Sequence, residues 1–127
     1  CSRDAVKAFT DAGIPTSMFI DPDEKQLEAS AEIGSPWVEL HTGSFARAWY
    51  DESKRAIELE TLRNGMEFGI SLGLRVNAGH GINYDNVEGA KHLDQIYEFN
   101  IGHSIISRSI THGLAEAVQT MRSRLND

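Results

Sequence analysis

Short apolar runs alternate along the chain with longer segments whose apolar residues recur at helical spacing. The short runs predict four strands, at residues 16–20, 37–41, 74–77 and 98–101. The longer segments predict helices at residues 5–12, 24–33, 44–71, 83–92, 104–109 and 114–125. The acids at 21–24 are predicted to cap the helix at 24–33, and one interpretation of 44–71 is a separate short turn at 45–50, after which Asp51 caps the main helix. Because strands that alternate with helices pair in parallel through right-handed crossovers, the pattern predicts one α/β unit over residues 1–127.

The helical spacing also predicts which side chains face the core. These inward positions are Val6 and Phe9 in the first helix, Ile57, Leu62, Met66 and Ile70 in the longest, and Leu114, Ala117, Val118, Met121 and Leu125 in the last. The aromatic side chains lack the interleaved basic residues of a nucleic-acid platform. They are assigned to the core or to subunit contacts: Trp37, Phe45, Trp49, Tyr50 and Phe68.

Four strand–helix units can form half of a (β/α)₈ TIM barrel or a small doubly wound sheet. The short helix predicted directly after the fourth strand favours the barrel, because phosphate sites in barrels are often built with an extra short helix at that point. The predicted fold is therefore about the last four β/α units of a TIM barrel, followed by this extra helix.

The composition narrows the classes of partner. The 127 residues carry a formal net charge of −7, which disfavours nucleic acid and anionic membranes as partners. No apolar run is long enough to span a bilayer, and no leader pattern is recognised at the front. With Cys1 as the single cysteine, no intrachain disulfide is expected, which favours a cytoplasmic location. The start at Cys1, within a helical pattern, leads us to expect a partial sequence.

Ionisable side chains follow the second and third predicted strands. Glu39 and His41 are two residues apart on a strand and so lie on the same face. A carboxylate that faces a barrel interior must be paired or functional, so Glu39 is a predicted site residue. For His41, a site role and an ordinary polar role at a strand end both stay open. His80 lies between two glycines, where an imidazole can exchange protons near neutral pH.

The fourth strand ends in Gly102 and His103, just before the short helix. Free backbone amides and the positive end of a helix dipole predict a site there for a small phosphorylated ligand. No Walker loop or dinucleotide fingerprint is present, so a nucleotide is not indicated. Because parallel strands end at one edge, this site is expected to join Glu39 and His80. Three other candidates are assigned to structural or solvated positions: Arg47, His92 and His112.

Several of these segments together are similar to a known family. The strings VELHTG at 38–43, RVNAGHG at 75–81 and NIGHSIISR at 100–108, with FID at 19–21, resemble the pyridoxine 5′-phosphate synthase family. The resemblance implies a (β/α)₈ barrel, assembled as a homo-octamer. It also implies condensation of 3-amino-2-oxopropyl phosphate with 1-deoxy-D-xylulose 5-phosphate to pyridoxine 5′-phosphate, phosphate and water, with no cofactor and no metal.

The resemblance assigns roles to matching residues. His80 matches the family's proton donor and Glu39 its transition-state stabiliser, while Gly81, Gly102 and His103 match residues that hold the aminoketone phosphate. The family's proton-accepting residues and its deoxyxylulose-phosphate site have no counterpart here, so the chain resembles the carboxyl-terminal half. Four strands leave edges and half a core open. We therefore expect the chain to be inactive unless another half pairs with it.

Two other functions fit the same residues. Glu39, His41, His80 and His103 are side chains that can bind zinc, so a metal-dependent barrel lyase or hydrolase is one alternative. The other is a non-catalytic module that binds a sugar phosphate or mediates oligomerisation. Elemental analysis tests the first, and calorimetry with the aminoketone phosphate, followed by an activity assay, tests the second.

Overall fold

The computed structural model describes residues 2–126 as one sheet with helices; Cys1, on which the redox prediction rests, and Asp127 lie outside the described residues. The strands are β1 (Ser17–Ile20), β2 (Trp37–His41), β3 (Arg75–Gly79) and β4 (Phe99–Asn100). The helices are α1 (Ser2–Asp11), α2 (Glu24–Glu32), α3 (Gly43–Ala48), α4 (Glu52–Ser71), α5 (Val87–Ala90), α6 (His103–His112) and α7 (Leu114–Asn126).

The four strands lie side by side in the order β1-β2-β3-β4, and every neighbouring pair is parallel. The prediction of a parallel α/β fold is confirmed. A doubly wound sheet reverses its strand order at a switch point, whereas a barrel adds each strand beside the one before it. The sequential order is that of consecutive strands in a barrel wall.

The helix-facing side of the sheet is apolar and closed. Val38, Leu40, Val76 and Ala78 are at most 1% exposed, and most of them belong to a core cluster that includes side chains of α2 and α4. Helix α4 comes close to the sheet at Gly69, where a Cβ would lie 2.9 Å from Cγ2 of Val76. The close packing of α4 on the sheet therefore depends on the missing side chain of Gly69 as well as on the large apolar side chains of the core.

Side-chain caps explain where the helices of this layer begin. A carboxylate oxygen of Asp23 accepts a hydrogen bond from the Gln26 backbone N–H at 3.1 Å, and Asp51 accepts one from Lys54 at 3.1 Å. Both contacts satisfy an amide that the first helical turn leaves unpaired. These caps agree with the helix starts predicted from the sequence.

Several predicted boundaries were wrong. Strand β3 starts at Arg75 and continues to Gly79, because its end pairs with Asn100 of β4. Residues 83–86 form a turn instead of helix, since the Asn83 side chain accepts from the backbone N–H of Asp85 and Asn86. Helix α6 starts at His103 and continues to His112, three residues beyond the prediction.

Some predicted core positions were also wrong. Ile57 is 65% exposed and Phe9 48% exposed, while Leu62 and Met66 are buried as predicted. In α4 the buried stripe passes through Gly65 and Gly69, which a search for large apolar residues overlooks. Three more predicted inward residues are exposed: Ile70, Leu114 and Val118. Tyr50 is also exposed, so of its two predicted roles, core residue or subunit contact, the subunit contact stays a prediction. Among the described residues, no helix is both long and apolar enough to cross a membrane.

Candidate functional site

The carboxyl ends of β2, β3 and β4 enclose a cavity of about 1060 Å³ at one edge of the sheet. All five predicted catalytic and ligand-binding residues line it: Glu39, His80, Gly81, Gly102 and His103. These residues come from three segments that are distant in sequence. The sheet therefore brings them together as the strand-end pattern predicts.

Glu39 is half-buried on the face of β2 opposite the helices. Its Oε2 atom accepts a hydrogen bond from Nδ2 of Asn100 at 2.6 Å. The predicted carboxylate thus has a partner, and that partner is an uncharged amide from β4. No sequence motif points to Asn100, because the contact joins residues that are 61 apart in the chain.

His80 has an unusual backbone. Within residues 2–126 it is the non-glycine residue with a positive φ, at 75°. Such a conformation costs a non-glycine residue about 1–3 kcal/mol and persists where the surroundings enforce it. The backbone conformation of His80 therefore indicates that the loop at the end of β3 is constrained.

Two buried side chains enforce the His80 loop. The Thr42 hydroxyl lies 2.7 Å from the carbonyl oxygen of His80 and 2.8 Å from that of Gly79, and it donates to one of them at a time. The Asn86 amide donates to the carbonyl oxygen of Gly81 at 3.0 Å. Thr42 and Asn86 are at most 1% exposed. They were missed because neither is a residue type that catalyses proton transfer.

A second imidazole lies against His80. The His41 and His80 ring centroids are 4.9 Å apart, and the ring of Phe19 makes an edge contact with His41 at 5.3 Å. Nδ1 of His41 is 3.2 Å from a carboxylate oxygen of Asp21. Because a carboxylate accepts, this contact favours the tautomer of His41 that carries its proton on Nδ1. His41 is thus beside the site, although it does not line the cavity.

The opposite wall of the cavity is the amino terminus of α6. No side chain caps this helix at Gly102, and a Cβ at Gly102 would meet no atom within 4 Å. The Ser104 hydroxyl donates to the carbonyl oxygen of Ile82 at 2.9 Å and so fastens the helix to the loop after β3. An open helix amino terminus favours a bound anion, which suits a phosphate group.

The far end of α6 also reaches the cavity, which corrects one assignment. His112 lines the cavity, although it was predicted to lie away from the strand ends, because α6 is longer than predicted. Nearby, the Arg108 guanidinium donates two hydrogen bonds to Glu116, at 3.1 and 2.8 Å. The hydrogen bond from Arg108 lowers the pKa of Glu116. His92 is exposed, as predicted, and so is Arg47, which bonds to Ser44.

One alternative, a metal-dependent lyase or hydrolase, requires a set of metal ligands in the same region. Over residues 2–126, no group of three or more histidine, cysteine, aspartate or glutamate side chains is arranged to hold a metal ion. Glu39 is instead paired with Asn100, and His41 with Asp21. The four residues suggested as zinc ligands do not form a ligand set here.

The sequential parallel sheet, with ionisable side chains at its carboxyl edge, defines a (β/α)₈-barrel protein with a site in the usual place. Residues 2–127 match the family model described as "Pyridoxal phosphate biosynthesis protein PdxJ", and the chain belongs to that family. The resemblance stated from the sequence motifs is confirmed, and so is the assignment to a TIM-barrel family.

Curated relatives give the same result. The chain is 48% identical over 124 residues to the pyridoxine 5′-phosphate synthase of Opitutus terrae, a match that covers 98% of the chain and 50% of the relative. It is 49% identical over 118 residues to that of Geobacter sulfurreducens, covering 93% of the chain and 49% of the relative. The chain therefore spans about half the length of these relatives, as expected for half of a barrel.

Proposed function

We propose that the chain is the carboxyl-terminal half of a pyridoxine 5′-phosphate synthase of vitamin B6 biosynthesis. The reaction is the condensation of 3-amino-2-oxopropyl phosphate with 1-deoxy-D-xylulose 5-phosphate, which yields pyridoxine 5′-phosphate, phosphate and water. One observation carries the proposal: Glu39, His80, Gly81, Gly102 and His103 line a single cavity. The names of the relatives give the product, pyridoxine 5′-phosphate, and the family resemblance implies the two substrates.

The geometry fits the binding of the aminoketone phosphate. Backbone amides at Gly81, Gly102 and His103 and the amino end of α6 favour its phosphate. The carbonyl and amino groups of the ligand then lie towards the strand ends, near His80 and Glu39. The His80 imidazole donates a proton to an oxygen that leaves as water, and the Glu39 carboxylate stabilises positive charge that develops when the amine condenses with a ketone.

The proposed chemistry requires several proton transfers. Imine formation, loss of phosphate, loss of water and ring closure are each steps in which histidines and carboxylates can act. We therefore expect no cofactor. The family resemblance further implies a homo-oligomer, an octamer in the family, and the low cysteine content favours a cytoplasmic location.

The second substrate needs residues that this chain does not supply. The face of the sheet away from the helices is open, and Phe19 on that face is 56% exposed. In a closed barrel, the other strands would cover this face. We propose that an amino-terminal half provides this cover together with the site for the deoxyxylulose phosphate.

The test is to reconstitute the assembly. The chain is co-expressed with the amino-terminal half of the Opitutus terrae synthase, and formation of pyridoxine 5′-phosphate is measured for the assembly and for the chain alone. We expect turnover by the assembly and none by the chain alone. A Glu39→Gln assembly serves as the control that activity depends on this chain. A stable assembly that forms no product, or turnover by the isolated chain, would contradict the proposal.

One observation favours a second candidate for the chain alone, namely binding without catalysis. The residues assigned to the aminoketone phosphate are all present and line one cavity, while the residues that the family resemblance assigns to the second substrate have no counterpart in this chain. Calorimetry on the isolated chain should then show binding of the aminoketone phosphate with no product. His103→Pro removes one of the proposed amide donors at a helix position that tolerates proline, so it should weaken that binding, whereas Asn64→Ala on the exposed side of α4 should not.

A further inference from the structure

Three strands contribute to the immediate surroundings of the Glu39 carboxylate. We propose that Asn100 of β4 and Gly79 of β3 are positioning residues that hold this carboxylate in one orientation at the cavity wall. The inference deepens the proposed function and rests on it, because the orientation matters only if Glu39 takes part in the condensation. Asn100 and Gly79 act through Glu39 and need not touch the substrate.

The contact crosses a whole strand. Glu39 lies on β2 and Asn100 on β4, and these strands are separated by β3. Neighbouring strands are about 4.8 Å apart, so β2 and β4 are roughly 10 Å apart. Nevertheless Oε2 of Glu39 is 2.6 Å from Nδ2 of Asn100. The two side chains therefore meet above the backbone of β3.

Gly79 makes this meeting possible. A Cβ at residue 79 would lie 2.3 Å from Oε1 of Glu39 and 2.9 Å from the carbonyl oxygen of Asn100. Both distances are too short for any side chain to be accommodated without movement. Gly79 is also absent from the glycines with positive φ, so its backbone conformation does not by itself require glycine. The space above Gly79 is what requires glycine.

The register explains the direction in which the carboxylate leans. Glu39 pairs with Asn77, whereas Gly79 pairs with Asn100 and with His41. The Glu39 side chain thus extends from the level of Asn77 to the level of Gly79, towards the carboxyl edge where His80 begins its loop. Its orientation places the carboxylate beside the cavity instead of deeper between the strands.

The hydrogen bond removes freedom that the carboxylate would otherwise have. A glutamate side chain has several rotatable bonds and, in an open cavity, would occupy several rotamers. The Asn100 amide can only donate through Nδ2, so it fixes Oε2 and leaves Oε1 for the reacting groups. Positioning of this kind lowers the barrier because the stabilising charge is already aimed where charge develops.

The first test measures kinetics on the reconstituted assembly. Asn100→Ala should lower kcat about 10- to 100-fold, as expected for loss of a hydrogen bond to a charged group, with KM for the aminoketone phosphate within about twofold of wild type. Gly79→Ala should give a similar loss, because its methyl group displaces the carboxylate. Unchanged kcat in both variants, or a rise in KM alone, would overturn the proposal.

The second test asks whether Asn100 acts through Glu39. In a double-mutant cycle, Asn100→Ala should not lower kcat further when Glu39→Gln is already present. If the two residues acted independently, the two losses in kcat would multiply. Asn100→Asp should move the acid limb of the pH–kcat profile to higher pH, because it sets a second carboxylate against Glu39. Asn64→Asp makes the same charge change on the exposed side of α4 and should leave the profile in place.

A third measurement does not need activity. Carbon-13 NMR of the Glu39 carboxylate in the 127-residue chain, recorded at one neutral pH, should give a different chemical shift in Asn100→Ala than in wild type, and the wild-type chemical shift in Asn64→Ala. An unchanged Glu39 chemical shift in Asn100→Ala would overturn the contact itself. An inactive wild-type assembly whose Glu39 chemical shift does respond to Asn100→Ala would instead count against the proposed function, so the two failures are distinguishable.

Discussion

The two faces of the sheet in this chain are built in opposite ways. The face towards the helices carries Val38, Leu40, Val76 and Ala78, all buried against helices of the same chain. The opposite face carries exposed Phe19, half-buried Glu39 and exposed Asn100. Because strand side chains alternate, both faces come from the same four short strands. One face is complete within the chain, and the other is open.

The residues that stabilise the fold and the residues proposed for catalysis therefore lie on different faces of the sheet. The closed face supplies apolar burial that the chain can use by itself, whereas the open face holds side chains that we propose take part in binding and catalysis. Substitutions on the two faces should give different phenotypes, and the following predictions exploit that, from the largest effect to the smallest.

The largest effect is expected at the open edge, at His80. In the reconstituted assembly, His80→Asn should lower kcat by about 100-fold or more, because removal of a general acid typically costs that much. Binding of the aminoketone phosphate should change far less, since the phosphate contacts that we propose are on Gly81, Gly102 and His103. Steady-state kinetics and calorimetry measure the two effects separately. An unchanged kcat would remove His80 from the mechanism.

The next effect concerns stability and the closed face. Leu40→Ala should destabilise the chain by about 2–5 kcal/mol, because it leaves a cavity in a site that is 0% exposed. Phe19→Ala on the open face should cost the isolated chain less than about 1 kcal/mol, since its ring is already more than half exposed. Urea unfolding of both variants measures the difference. Equal losses would mean that the two faces are not distinct.

A smaller effect is expected at the support of the His80 loop. Thr42→Val keeps the shape of the side chain but removes the hydroxyl that donates to the carbonyl oxygens of Gly79 and His80. The strained conformation of His80 should then be held less firmly, and kcat should fall about tenfold. A Thr61→Val control removes a hydroxyl from exposed α4. If both variants retain wild-type kcat, the hydroxyl is not needed to hold His80.

How much of the fold and of the candidate site can be predicted from the sequence depends on how far apart in the chain the interacting residues are. The strand positions and the Gly-His ends follow from local pattern, and so does the cap at Asp51. The exposure of Ile57 does not follow from local pattern, because it depends on which side of α4 packs against the sheet. The orientation of the Glu39 carboxylate was not predictable either, since Gly79 and Asn100 come close to it only when β2, β3 and β4 lie side by side.

The smallest effect is a pH dependence at the start of α4. A hydrogen bond from the Lys54 side chain, followed by one from the Lys54 backbone, lowers the pKa of Asp51. The pKa of Asp51 is lower in the folded chain than in the unfolded chain. The contribution of Asp51 to the free energy of unfolding is therefore present above the unfolded pKa and is lost as the pH falls through the folded pKa. Asp51→Asn keeps an N-cap but should unfold with a shallower loss of stability towards acid pH. Thermal unfolding between pH 7 and 3, with Glu67→Gln as control, measures this, and parallel curves for wild type and Asp51→Asn would contradict it.

The most direct test of the central claim is a crystal structure of the reconstituted assembly with bound 3-amino-2-oxopropyl phosphate. The account predicts the phosphate within hydrogen-bond distance of the backbone amides of Gly81, Gly102 and His103, with His80 and the Asn100-held Glu39 carboxylate at the reactive end of the ligand. A ligand bound elsewhere, or one whose reactive end is out of reach of both Glu39 and His80, would contradict it.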